Sequence, residues 1–126
     1  SPEMARRVRR RYGAEVEAIA APCDKDGIAL QPVMRELARR GWSKVLIEGG
    51  ARLAGAALKA GMVDRVAFFV APRIIGAGLP AIEGLETVSV RRAIGLENLE
   101  ARQVGSDWLL EGNIIRTPGR RISRRS

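Results

Sequence analysis

Histidine is absent from the 126 residues, and Cys23 is the single cysteine. Without histidine there is no Ser-His-Asp triad and no His-containing metal site, and one thiol closes no intrachain disulfide. Cys23 follows Pro22, as in half of a zinc-deaminase signature. Asp24-Lys25-Asp26 comes next, however, and no H-x-E stands anywhere in the chain, so a structural thiol is expected. Asp24 and Asp26 lack the downstream ligands of a calcium loop and read as a turn. Aromatic residues are few, at 4%, and Trp42, Phe68, Phe69 and Trp108 fall in strand or strand-edge contexts that suit a core better than a base-stacking platform. No apolar run approaches membrane-spanning length, and the N-terminus lacks the layout of a signal peptide. A cytoplasmic protein with no membrane partner is expected.

Lysine is scarce too: of 22 basic residues only three are lysine. The formal charge of +8 invites a nucleic-acid reading, but its distribution weakens it. Residues 1–12 carry +4 and residues 116–126 carry +5, which leaves −1 for everything between. The basic charge therefore lies at the two ends rather than in a groove across the fold. A length of 126 residues with 46% hydrophobic content suits one domain with one core.

Periodicity and punctuation divide the chain. "SPEMARRVRRRYG" reads as a helix capped near Ser1-Pro2, with a thin apolar stripe at Met4 and Val8 and a stop at Gly13. "AEVEAIAAP" reads as a strand ended by Pro22, and "PVMRELARRG" as a helix stopped by Gly41. "KVLIE", residues 44–48, is short and continuously apolar up to its last residue, the pattern of a strand covered on both faces. "GARLAGAALKAG" follows with helical spacing and Gly61 as terminator, and "RVAFFVAP" is a second doubly apolar strand. These three predict a right-handed strand-helix-strand crossover. Beyond a glycine-rich loop from Arg73 to Gly84, "TVSVRRAI", "ENLEARQV" and "DWLLEGNII" predict an antiparallel meander. The last residues, 116–126, have almost nothing to bury and are expected to be disordered.

Glu48, Gly49 and Gly50 form the most informative junction. At a strand's carboxyl end, where a helix begins, backbone N–H groups lack intrahelical partners and the helix dipole adds positive character. Two glycines clear the approach for a phosphate. They equally suit a tight turn that needs a positive φ, and spacing alone leaves both readings open. Gly50 and Gly55 have P-loop spacing, but Ala56-Ala57 stand where Lys and Ser/Thr belong, and G-x-G-x-x-G is absent. Glu48, ending an apolar strand, is expected to be buried and bonded, either to N–H donors of a heterocycle, to the following helix as a cap, or to Arg52.

The unit "VLIEGGARLAGAALKAGMVDRVAFFVAPRIIGAG", with "YGAEVEAIA" and "LARRGWSKVLIEGG" upstream and "VGSDWLLEGNI" downstream, closely resembles the C-terminal reductase domain of the bifunctional riboflavin-biosynthesis deaminase/reductase. That family belongs to the dihydrofolate-reductase-like superfamily. The resemblance implies an α/β fold of three layers, with a mixed sheet flanked by helices and an antiparallel end. It also implies a homodimer and an NADPH-dependent reduction of 5-amino-6-(5-phosphoribosylamino)uracil, in which the ribosyl group becomes ribityl. Carried onto this chain, Glu48 contacts the phosphoribosylaminopyrimidine substrate. Gly49, Gly50, Ala51, Arg52, Leu53, Ala54, Gly55 and Ala56 line the cofactor site, and no catalytic residue is assigned. The family's domain is longer, and its opening segments precede anything seen here. Residues 1–115 are accordingly expected to be the C-terminal part of a reductase domain, ahead of a basic tail at 116–126. Two other readings compete: a related oxidoreductase acting on a pterin or another pyrimidine, and a nucleic-acid module using Arg6–Arg11 and the tail.

Overall fold

A computed structural model describes residues 2–12, 19–24, 27–48, 50–85 and 89–115. The expected strand at 14–22 falls largely outside them, as do Gly49 and the tail. By contact pattern the chain divides at Leu46/Ile47 into two units.

The first unit, Ser1–Leu46, begins with helix α1, Pro2–Tyr12, where proline at the first helical position costs no hydrogen bond. A short antiparallel pair follows, β1 (Cys23–Asp24) with β2 (Gly27–Ile28). Helix α2 covers Leu30–Arg39 and starts two residues before Pro32, which the first turn tolerates because its N–H would be unpaired there anyway. Its end is fixed by Gly41, at φ 84°. The Gly41 N–H donates to Ala38 C=O (2.9 Å) and the Trp42 N–H to Leu37 C=O (3.1 Å), the paired bonds of a Schellman motif. On the surface of α2, Glu36 accepts from both Arg39 and Arg40, at 2.9 and 2.7 Å, and these two bonds hold its carboxyl at a pKa of about 2.

The second unit, Ile47–Ser126, holds α3 (Ala51–Lys59), β3 (Arg65–Val70), a single 3₁₀ turn at Val90–Arg92, β4 (Leu96–Val104) and β5 (Asp107–Ile114). Helix α3 ends as α2 does: Gly61, at φ 66°, donates to Leu58 C=O, and Met62 N–H donates to Ala57 C=O. The sheet order is β3-β5-β4, and both ladders are antiparallel. β4 and β5 form a hairpin around Gly105-Ser106. Gly105 takes φ 63° at the first loop position, which suits the twist of the flanking strands. A bulge interrupts β4 between Glu97 and Glu100, where Asn98 (φ 51°) and Leu99 oppose Gly112 alone. The Leu99 side chain reaches over Gly112, and a Cβ there would lie 3.2 Å from Leu99 Cδ1.

Register separates the two sheet faces. Val66 and Phe68 share one face with Leu110 and Ile114, and Val66, Phe68 and Ile114 line an apolar pocket of about 240 Å³ together with Leu58 of α3 and Ile82. The opposite face carries Glu111 between Arg65 and Arg102, at 3.3 and 3.5 Å, beside Leu109, which is buried in the central strand. Among the described residues, Ala57 and Leu109 are the buried hydrophobic side chains, and no helix is long and apolar enough to cross a membrane.

Three expectations are corrected. Residues 44–48 belong to no ladder, and Val45 and Leu46 are exposed, so the crossover to β3 does not form among the described residues. An apolar run states what a strand could bury, but a ladder also needs a neighbouring edge. "TVSVRRAI" is no strand where it is described: Val90–Arg92 turns as a 3₁₀ segment, and residues 86–88 lie outside the described set. The third strand beside the hairpin is β3 instead, and it lies against β5.

Candidate cofactor site

The junction at the start of α3 lies wholly within the second unit. Glu48 is exposed, contrary to its expected burial, because the segment that carries it has no sheet around it. No ion pair joins it to Arg52 among the described residues, and it does not cap α3, whose N-cap is Gly50. Gly50 takes φ 79° and ψ 110°, a conformation that an L side chain rarely adopts. The turn-forming reading of this glycine is therefore correct. Openness is also present, since a Cβ built at Gly50 would have nothing within 4 Å.

Gly50 C=O accepts the Ala54 N–H at 3.1 Å, the first bond of the helix. The N–H groups of Ala51, Arg52 and Leu53 precede that bond and have no acceptor within the helix. No side chain caps them at Gly50. Three donors in one turn, at the positive end of the helix dipole and behind an unobstructed glycine, suit an anion such as a phosphate. The exposed Arg52 adds a full positive charge on the same turn.

The remaining residues assigned to the site divide by exposure. Leu53 is 38% exposed, while Ala54 and Ala56 are half-buried. Gly55 is buried, and a Cβ there would lie 1.6 Å from the Glu83 carbonyl oxygen. Glu83 N–H also donates to Ala51 C=O at 3.0 Å. The contact between α3 and the loop at Ala81–Gly84 was not anticipated from sequence. The small residues along α3 suit a close approach to the sheet as readily as to this loop, so they do not single out Glu83.

Comparison with known proteins gives this site its context. The family model described as the RibD C-terminal domain matches residues 3–110. The riboflavin biosynthesis protein RibD of Escherichia coli K12 is 32% identical over 104 residues, covering 80% of this chain and 28% of that protein. RibD of Mycobacterium tuberculosis H37Rv is 36% identical over 78 residues, covering 62% and 22%. The chloroplastic riboflavin biosynthesis protein PYRR of Arabidopsis thaliana is 37% identical over 82 residues, covering 64% of this chain and 14% of that protein. Among solved structures, Acinetobacter baumannii RibD form 2 superposes with a TM-score of 0.61 at 25% identity, over 69% of this chain and 25% of that one. Form 1 superposes at 0.63 with 23% identity. The chain thus spans about a quarter of the length of the bacterial RibD proteins it matches, and it shares their dihydrofolate-reductase-like fold.

Proposed function

Because the chain belongs to the RibD C-terminal domain family, we propose that it is the cofactor-binding part of an NADPH-dependent reductase of riboflavin biosynthesis. Its substrate on this reading is 5-amino-6-(5-phosphoribosylamino)uracil, and its product carries a ribityl chain. The observation that carries the reading is the start of α3: three backbone donors stand behind Gly50, whose positive φ and empty Cβ direction leave the approach open. These fit the pyrophosphate of a dinucleotide. Bound NADPH supplies the hydride.

The chain's own residues bind and orient. The N–H groups of residues 51–53 hold the phosphates, and Arg52 adds positive charge beside them. Leu53, Ala54 and Ala56 supply the apolar flank of the cofactor channel. Glu48, next to the glycine pair, accepts N–H donors of the pyrimidine and fixes the direction from which the sugar meets the cofactor. Orientation of this kind is the protein's main contribution to hydride transfer, so the lack of histidine is no obstacle. The family's homodimer and cytoplasmic location belong to the same proposal, as does a length beyond this chain for full activity.

Calorimetric titration with NADPH and NADH, repeated on Gly50→Val, tests the reading. Saturable binding that favours NADPH and is lost in the variant is the expected result. Equal heats for wild type and variant would refute the assignment of the phosphates to α3. Binding of oligonucleotides that weakens steeply with salt and is lost when residues 1–12 and 116–126 are removed would instead favour the nucleic-acid reading.

A further inference from the structure

The loop at Ala81–Gly84 meets α3 at two points, one turn apart, through one residue. Glu83 N–H donates to Ala51 C=O at 3.0 Å. The Glu83 carbonyl lies over Gly55, where a Cβ would sit 1.6 Å from its oxygen and 2.8 Å from its carbon, against an ordinary contact distance of at least 3.4 Å. Ala51 and Gly55 are four residues apart and therefore stack on one helix face. A single loop residue thus spans the whole turn that presents the N–H groups of residues 51–53. Gly84 follows at φ 78°, a left-handed residue that redirects the chain immediately after the contact.

Gly55 itself is buried beneath this loop, so its absent side chain makes room for protein backbone. Resting on the cofactor reading above, we propose that Gly55 is a positioning residue: it seats Glu83 on α3 and thereby fixes the direction of the phosphate-binding N–H groups, without touching the cofactor. A Cβ at residue 55 would have to displace either the loop or the first turn. Hydrogen bonds from that turn weaken steeply once distance and angle leave their narrow range. The loop is correspondingly part of the binding apparatus although it carries no ligand contact.

Amide hydrogen exchange on the wild-type chain, with and without saturating NADPH, combined with NADPH titration of Gly55→Ala, tests this. NADPH should slow exchange at residues 51–54 and, together with them, at the Glu83 amide. Gly55→Ala should raise the NADPH Kd at least about tenfold in protein that remains folded by circular dichroism, since misplacement by about 1 Å can cost ~100-fold in a site of this kind. A purely structural role predicts a lower Tm with an unchanged Kd, and that result overturns the proposal. So does slowed exchange at residues 51–54 with none at Glu83, which decides the matter even if Gly55→Ala does not fold. If NADPH slows neither segment and Gly50→Val changes nothing, the cofactor reading fails, and the positioning role fails with it.

Discussion

Replacing Gly61 with alanine separates backbone conformation from packing at the end of α3. Gly61 stands at φ 66°, and a Cβ built there has nothing within 4 Å, so the new methyl group meets no neighbour. The change acts through the left-handed conformation alone, which costs an L-residue about 1–2 kcal/mol. Part of that is returned because alanine has less freedom than glycine to lose on folding, roughly 0.4–1 kcal/mol. A net destabilisation of about 1 kcal/mol is expected, which for a folding unit of 60–100 residues lowers Tm by about 4–8 °C. Urea titration and thermal melting followed by far-UV circular dichroism would measure it. Gly61→Asn should fall between alanine and wild type, because asparagine tolerates this region of φ. Gly41→Ala should behave like Gly61→Ala, since Gly41 closes α2 at φ 84° with equally empty surroundings. Wild-type stability in Gly61→Ala, with Asn and Ala indistinguishable, would refute the claim that these glycines hold the helix ends by conformation.

Two further predictions concern charge. Glu36 should titrate at about 2 by carbon-detected NMR, because Arg39 and then Arg40 hydrogen-bond its charged form. The sign follows from that depression: its contribution to stability is complete above the usual carboxylate value of 4.5 and is lost as pH falls through about 2. Glu36→Gln should remove that acid-side dependence, and an unchanged profile would contradict the pairing. Glu111→Gln should cost about 0.2–1 kcal/mol for each arginine it releases, because Arg65 and Arg102 are largely solvent-facing. The loss should shrink in 1 M salt, where the screening length is only about 3 Å, and a salt-independent loss would point to packing instead.

Local rules were enough wherever a residue's conformation is decided by its immediate neighbours. Gly41 and Gly61 are legible as helix stops because each follows an amphipathic run, and both adopt the positive φ the rule requires. The hairpin at Gly105-Ser106 and the apolar strand Arg65–Val70 are legible for the same reason. Residues 44–48 mislead because their apolar character reports a demand for burial, which only another segment can satisfy. The order β3-β5-β4 is likewise invisible to periodicity, which gives faces but not neighbours. At the candidate site, the positive φ of Gly50 was one of two readings left open by spacing. The burial of Gly55 depends on Glu83, a residue far along the chain with no local pattern linking the two.

The central place of β5 also sets when the sheet can form. Arg65 of β3 pairs with Asn113, and Val70 with Trp108, so the earliest strand of the sheet waits for the last to leave the ribosome. Among the described residues β3 has no other strand to pair with until then, and β4 has no ladder either, since its partners also lie in β5. Closing such a long interval costs entropy before any contact repays it, which favours the β4-β5 hairpin as the first piece to assemble and β3 as the piece that docks. A ribosome stalled before Asp107 would therefore present a nascent chain with its helices encoded and its β3-β5-β4 sheet unattainable.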